Sequence, residues 1–228
     1  DRGFRVADET MALMRGMVEA AEADHLVAER VWQEMARGLM EERPDVMFSV
    51  LQGSGALARI APELEFNEGD LGLLSDLGFM SVGVEVRFAA FCLQLDLNAL
   101  QNLCDRWKVP STCREYAGTA NRAVPFAHGI NDLGAKEMLA LFEIWDALRR
   151  PERVPGLMWL LVFQAARKNQ RLQPRTMERL EQALDRLKSL DLGAVAQAAK
   201  GQDIPAAIHA AKLHALEQFL NEQKGNTP

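Results

Sequence analysis

The chain has 228 residues, of which 48% are hydrophobic and 25% charged, which is an ordinary globular composition with enough residues for a real core. Its net charge of −6 argues against a wholly basic nucleic-acid-binding surface, although a local basic face is compatible with it. No apolar run approaches the roughly 20 residues that span a bilayer, and we see no secretion signal. We therefore expect a cytoplasmic protein without a membrane contact. The chain begins at Asp1 rather than at a methionine, which suggests a fragment or a renumbered sequence.

The helical period runs through almost every segment, and this pattern predicts an all-α fold. Asp8 is expected to cap the first helix, and a second helix follows His25. Pro44 is suited to the first turn of a third helix, and Gly53 and Gly55 are expected to end it with a tight turn. Four residues of the second helix fall on one face: Val27, Val31, Met35 and Leu39.

Residues 62–83 are acidic and dotted with glycine, and we interpret them as a loop with a short helix. No alternating strand pattern appears, and no repeat of 30 to 50 residues is evident. Further helices are predicted over 84–95, 97–108, 111–121, 134–148, 156–170, 174–189, 192–199 and 204–223.

The stretch VEVRFAAFCLQLDLN, residues 84–98, is apolar on nearly every face and predicts a buried helix. Helices of this kind sometimes carry a metal-binding His-Asp pair, but Leu93 and Gln94 stand at those two places and give no such pair. The chain has four scattered histidines, and two of them lie five residues apart, about 140° around a helix. We expect no metal site. The histidines are His25, His128, His209 and His214.

Catalytic equipment is not visible in the sequence. Cys92, Cys104 and Cys113 lack CxxC spacing and fit three reduced thiols better than a disulfide framework or a zinc site. No phosphate-binding glycine motif is present.

A basic segment stands out between residues 147 and 176, where Glu152 is the single acid. Arginine forks suit phosphate oxygens, so this segment is a candidate RNA-binding surface; the alternative is a solvated helix face. We expect Trp159 and Phe163, spaced four residues apart, to pack in the core. The basic residues are Arg149, Arg150, Arg153, Arg167, Lys168, Arg171 and Arg175.

The N-terminal run GFRVADETMALMRGMVEAAEADHLVAERVWQEMARGLM resembles the neck of bacterial CCA-adding tRNA nucleotidyltransferases. The start of the family's next helix is matched by His25, Leu26, Glu29, Arg30 and Val31. PDVMFSVLQGSGALARIAPEL continues the match, VRFAAFC corresponds to the helix that bears His-Asp in many relatives, and KGQDIPAAIHAAKLHAL resembles the tail helix. The resemblance is strong over residues 3–64 and weaker afterwards.

The resemblance implies three segments: a neck-like segment over 1–64, a body with a degenerate HD-like region over 65–148, and basic helices with a tail over 149–228. His25, Glu29 and Arg30 would be structural neck residues, and Leu93 and Gln94 would replace the His-Asp pair. The expected partner is tRNA, with Lys200 and Lys212 on the tail as additional contacts.

The family's catalytic head lies before the neck, so the resemblance makes the head the second partner of this chain. The parent enzyme would use magnesium with ATP and CTP in that head to add CMP and AMP to tRNA 3′ ends. No cofactor is expected in this chain, which alone should be inactive. The alternatives are the corresponding part of a bacterial poly(A) polymerase, a non-catalytic helical interaction protein, and a degenerate hydrolase.

Overall fold

The computed structural model describes residues 5–64, 68–168, 170, 172–201 and 203–225. These residues form α-helices and short 3-10 segments without any strand, so the all-α prediction is confirmed. No helix in these ranges is both long and apolar enough to cross a membrane. The chain divides into two compact units, residues 1–122 and 123–228. The predicted division into neck, body and tail remains a prediction.

Unit 1 contains seven helices in the part of the chain that is described, and an eighth begins in it. They are α1 (Asp8–Glu19), α2 (Ala28–Leu39), α3 (Pro44–Gly53), α4 (Ala56–Ile60), α5 (Glu68–Gly78), α6 (Val84–Cys92), α7 (Leu97–Trp107) and α8 (Ser111–Ala127). Unit 2 continues with α9 (Ala135–Ile144), α10 (Val154–Arg167), α11 (Thr176–Lys188), α12 (Leu192–Ala198) and α13 (Ile204–Gly225). Three 3-10 segments span Glu22–His25, Ile130–Asp132 and Pro151–Arg153.

The helix starts in unit 1 differ from the predictions in two details. Asp8 does not cap α1: the N-cap is Ala7, without a side-chain hydrogen bond, and Asp8 is the first helical residue. Val27 is exposed at the N-cap of α2, whereas the other three residues of the predicted face are buried. The predicted starts and stops around α3 are confirmed, since Pro44 is its first residue and Gly55 turns at φ +80°.

Four helix ends differ from the predictions by three residues or more, and one of them is that of α10, which was predicted to reach residue 170 but ends at Arg167. The helix predicted over 84–95 ends at Cys92, and Leu93 is only its C-cap. The helix predicted over 111–121 continues to Ala127 with Pro125 inside it, although proline cannot donate a bond to the preceding turn. The helix predicted over 134–148 ends at Ile144, and Asp146 adopts φ +54°, a left-handed conformation that α-helices exclude.

The core of unit 1 is built around α6, in which every residue from Val86 to Cys92 is buried. Phe91 lies between Phe48 of α3 and Trp107 of α7, with ring centroids 4.6 Å and 6.0 Å away. Trp32 of α2 meets Phe88 edge-on at 5.2 Å. Aromatic pairs at such distances add to the free energy of burial. A buried helix is thus confirmed over Val86 to Cys92, whereas residues 96–98 of the same predicted stretch are exposed and lie outside α6.

Unit 2 packs α9, α11 and α12 against the long helix α13. Its buried side chains come from α9, α10, α11 and α13 and from the turn after α9, and include Met138, Leu141, Trp145, Leu157, Leu184 and Leu216. The basic residues predicted to bind RNA all belong to this unit.

Candidate nucleic-acid interface

The turn after α9 brings three of the predicted arginines to one carboxylate, that of Asp146. Arg149 donates its Nε–H to Oδ1 of Asp146 at 2.8 Å, and Nε of Arg150 lies 3.8 Å from Oδ2. The backbone N–H groups of both arginines also donate to the Asp146 carbonyl. The hydrogen bond from Arg149, followed by the charges of Arg149, Arg150 and Arg153, lowers the pKa of Asp146.

Sequence reasoning missed this carboxylate because the basic segment was counted from residue 147, one position too late. Asp146 partly neutralises the N-terminal half of the segment and fixes the direction in which Arg149 points. The side chain of Arg149 is nevertheless 84% exposed, so its remaining guanidinium N–H groups are open to solvent.

The other members of the basic segment lie at helix ends. Arg153 is the N-cap residue of α10, and Arg167 and Lys168 stand at its C-terminus, where Lys168 is exposed. Arg175 is exposed at the N-cap of α11. Arg171 lies outside the described residues.

The two predicted tail contacts are placed differently from each other. Lys212 of α13 lines a cavity of about 260 Å³ together with Arg149 and the acidic Glu143 and Asp146. Lys200 is exposed just after α12 and lines none of the described cavities. The structure therefore brings Lys212 beside Arg149.

A second cavity in unit 2, of about 510 Å³, joins Arg175 to Arg179, a residue that the sequence did not single out. Arg179 is half-buried in α11, and burial lowers the pKa of its guanidinium while the charge of Asp132 acts the other way. The place of Arg179 on the amphipathic helix α11 is a signal that the sequence contains. The lack of hydrogen-bond partners for two of its side-chain nitrogens among the described residues is visible only in the structure.

Trp159 corrects one prediction. It was expected in the core, but its side chain is 52% exposed on α10, whereas Phe163 is half-buried. Pro155 and Ala166 are exposed on the same helix. At the helical spacing of α10, Pro155, Trp159 and Ala166 lie on one side of the helix.

The neck residues lie in unit 1. His25 ends the 3-10 segment before α2, and Glu29 and Arg30 lie in the first turn of α2, all three exposed. His25 and Arg30 border an apolar cavity of about 510 Å³ that also reaches Leu51 and Ile60. Their assignment as structural neck residues stays a prediction.

Leu93 and Gln94 lie in the turn after α6, where Leu93 is buried and Nε2 of Gln94 has no hydrogen-bond partner among the described residues. Asn121 of α8 holds this turn by donating its Nδ2–H to the carbonyls of Leu95 at 2.6 Å and Cys92 at 3.4 Å. Within the described ranges, no three His, Cys, Asp or Glu side chains converge as metal ligands.

Residues 3–67 match the family model described as "Probable RNA and SrmB- binding site of polymerase A". Over 256 aligned residues, the chain is 37% identical to the multifunctional CCA protein of Burkholderia cenocepacia strain J2315, covering 95% of this chain and 62% of that protein. The same protein of Dechloromonas aromatica strain RCB is also 37% identical, over 96% of this chain. No solved structure matches the chain.

The chain thus spans 62% of the length of the curated relatives that it matches. The identity extends far beyond residues 3–64, where the predicted resemblance was strong. The predicted resemblance is confirmed: over nearly its whole length this chain is similar to multifunctional CCA proteins.

Proposed function

We propose that this chain is the tRNA-binding C-terminal part of a CCA-adding enzyme. The observation that carries the proposal is the 37% identity to multifunctional CCA proteins over 95% of the chain, with a matching RNA-binding segment at residues 3–67. The enzyme would act in the cytoplasm and add CMP and AMP to tRNA 3′ ends, and the catalytic head would be a separate part of that enzyme.

The proposed role of unit 2 in this enzyme is to hold the RNA backbone. Guanidinium groups pair with phosphate oxygens through parallel N–H donors, and Arg149 keeps such donors open while Asp146 fixes its orientation. Lys168 and Arg175 add exposed positive charge at the ends of α10 and α11. Trp159 adds an exposed aromatic face on which an unpaired base could stack.

Magnesium, ATP and CTP are assigned to the head in this proposal. The described residues do not fit a metal, since no three potential ligands converge there. The turn at Leu93 and Gln94 is held instead by amide and carbonyl groups, which supports our proposal that residues 65–148 contain a degenerate HD-like region. No chemical step is therefore assigned to this chain.

A filter-binding titration with tRNA over a range of salt concentrations tests the RNA-binding role. Each phosphate that is neutralised releases condensed counterions, so log K should fall linearly with log salt concentration. Replacing Arg167, Lys168 and Arg171 together by Ala should weaken binding and flatten this slope with unchanged helicity. Equal binding by the triple variant at every salt concentration would reduce these residues to a solvated face.

The second candidate is the corresponding part of a bacterial poly(A) polymerase, which the description of the family matched by residues 3–67 favours. A chain joined to its head distinguishes the two when it is given tRNA without the 3′ end, CTP, ATP and magnesium. Addition that stops after C, C and A supports the CCA-adding enzyme. A long tail of adenosines made from ATP alone supports the polymerase. The chain without a head should extend nothing.

A further inference from the structure

The polar cavity of unit 2 contains a guanidinium edge without a partner. The cavity has a volume of about 510 Å³ and lies beside the N-terminal half of α11, the 3-10 segment Ile130–Asp132 and the C-terminal part of α13. Within the described part of the chain, neither Nε nor Nη2 of Arg179 has a hydrogen-bond partner, although both atoms are buried. Buried charged N–H groups normally have hydrogen-bond partners. Two such groups without partners beside a cavity therefore point to a ligand.

The two free atoms form one edge of the guanidinium plane, from which two N–H groups point in parallel. The same edge of Arg43 holds the carboxylate of Asp45 elsewhere in this chain, with N–O distances of 2.9 Å and 2.7 Å. Such an edge matches two oxygens of a carboxylate or phosphate group. Arg175 lines the same cavity and supplies a second positive charge.

The neighbouring polar groups are already engaged with one another. Oδ1 of Asn131 accepts hydrogen bonds from the Thr176 hydroxyl at 2.6 Å and from the Gln173 N–H at 3.0 Å. Further along α11, Gln182 donates to Glu178 at 3.0 Å and accepts from Gln223 at 3.1 Å. These hydrogen bonds hold the side chains that line the cavity. The Nε and Nη2 N–H groups of Arg179 remain available to a ligand.

The acidic groups of the cavity limit which anion suits it. Asp132 and Glu178 line it together with the two arginines, so two negative charges balance two positive ones. The cavity therefore does not attract every anion through its net charge. Recognition must therefore depend on the geometry of the Arg179 fork. A phosphate group offers two oxygens to that fork and leaves others for Arg175.

We propose that this cavity is a phosphate-binding site in which the Nε and Nη2 donors of Arg179 hold two oxygens of one phosphate group. If that group belongs to the backbone of tRNA, the inference deepens the proposed function and rests on it. Free phosphate offers the same oxygens, and the experiment below separates the two sources.

The test uses the whole chain and two variants, Arg179→Met and Arg179→Lys, with Arg186→Met as a matched control. Arg186 lies seven residues further along α11, on the same face, but is paired with Glu222 at 3.0 Å. Thermal unfolding is measured in phosphate-free buffer and with increasing inorganic phosphate, with chloride holding the ionic strength constant. Affinity for tRNA is measured on the same four proteins.

In phosphate-free buffer, Arg179→Met should melt at the same temperature as the parent or above it, because two buried N–H donors without hydrogen-bond partners are replaced by an apolar side chain. Phosphate should raise the Tm of the parent and of Arg186→Met, since a ligand of the native state stabilises it. It should not raise the Tm of Arg179→Met, and Arg179→Lys, which keeps the charge but loses the fork, should respond weakly. The loss of one charge-assisted pair should weaken tRNA binding of Arg179→Met roughly tenfold.

The inference is overturned if Arg179→Met melts well below the parent without phosphate, which would show a structural role, or if phosphate stabilises it as much as the parent. If phosphate raises the Tm of the parent but not of Arg179→Met, while the two proteins bind tRNA equally well, the site binds free phosphate. A parent that binds tRNA without any phosphate response or Arg179 dependence refutes the site and leaves the proposed function standing. A parent that does not bind tRNA refutes the proposed function alone.

Discussion

Arg87 is a charged residue inside the core of unit 1, only 5% exposed, and it joins three chain segments. Its Nη1 donates to the carbonyls of Leu39 and Glu41 at 2.8 Å and 2.9 Å. Its Nη2 donates to those of Gly78 and Met80 at 3.3 Å and 2.9 Å. Gly78 fits there because a Cβ at this position would overlap the Glu42 carbonyl. Both Nη atoms are therefore bound by carbonyls at or just after the ends of α2 and α5 rather than by an acid, whereas Nε has no hydrogen-bond partner among the described residues.

Replacing Arg87 by Met should lower the free energy of unfolding by about 3–5 kcal/mol, because one buried and three partly buried carbonyls lose their donor. Urea unfolding followed by circular dichroism measures this. Arg106→Met is the control: Arg106 forms a two-bond pair with Glu63 at 2.6 Å near the surface, and such pairs contribute about 1 kcal/mol or less. Equal losses in the two variants would contradict the assigned role of Arg87.

Asp146 holds arginines that are proposed to bind RNA, and it is itself a negative charge beside the phosphates. Asp146→Asn keeps a residue that tolerates φ +54° but removes the charge. We expect tRNA binding about two- to fivefold tighter at low salt, with the difference fading as salt screens the charge. The measurement is a binding titration at two salt concentrations. Weaker binding would mean that orienting Arg149 matters more than repelling the phosphate.

The three cysteines are free and buried, and burial raises the pKa of Cys104 to about 11. Because the native state favours the protonated thiol, its contribution to stability is complete below the ordinary pKa of 9.0 and is lost as the pH rises towards 11. The stability difference between the parent and Cys104→Ala should therefore shrink between pH 8.5 and pH 10.5. Urea midpoints at both pH values measure it, and a constant difference would contradict the buried-thiol assignment.

At the residue scale, the sequence located the basic segment but not its chemistry. Trp159 was expected in the core because its spacing from Phe163 fits a buried helical face, whereas only the packed helix reveals which side faces solvent. Asp146 and Arg179 were missed because their importance arises from what they contact or fail to contact. The composition of the segment reveals neither the contacts of Asp146 nor the missing hydrogen-bond partners of Arg179.

At the scale of elements, most helices were predictable because an apolar stripe of helical period appears directly in the sequence. Their ends were less predictable when tertiary contacts set them. The end of α6 depends on Asn121, which lies 29 residues after Cys92 and caps the turn with its amide. No local signal near residue 92 announces this hydrogen bond.

Asn121→Asp should destabilise unit 1 by about 2–4 kcal/mol, because a carboxylate would replace the amide donor beside two carbonyl oxygens in a buried site. Asn102→Asp makes the same chemical change on an exposed position of α7 and serves as the control. Its effect should stay within about 0.5 kcal/mol. Hydrogen exchange should show the loss of protection in α6 and α8 of the Asn121 variant. Similar midpoints for the two variants would count against this cap.

At the scale of the whole molecule, the net charge of −6 is the sum of an acidic unit 1 and a slightly basic unit 2. Residues 1–122 contain 12 basic and 20 acidic side chains, whereas residues 123–228 contain 14 basic and 12 acidic ones. Long-range attraction for a polyanion therefore belongs to unit 2, although the family match to an RNA-binding segment falls in unit 1. Several arginines of that segment are engaged: Arg37 with Glu34, Arg43 with Asp45, and Arg15 with the Gly53 carbonyl.

Two variants with the same change of charge separate these locations. One replaces Arg149, Arg150 and Arg153 of unit 2 by Gln, and the other replaces Arg5, Arg15 and Arg30 of unit 1 by Gln. If phosphate contacts dominate, the unit 2 variant should bind tRNA at least tenfold more weakly in low salt, and each lost contact should reduce the salt slope by about one. The unit 1 variant should change affinity less than about threefold, since its charges lie in an acidic surrounding that already repels the RNA. Titrations at four salt concentrations, with circular dichroism to confirm folding, give both slopes. The opposite ranking would place the main RNA contact in residues 3–67 and leave the basic helices of unit 2 as a solvated face.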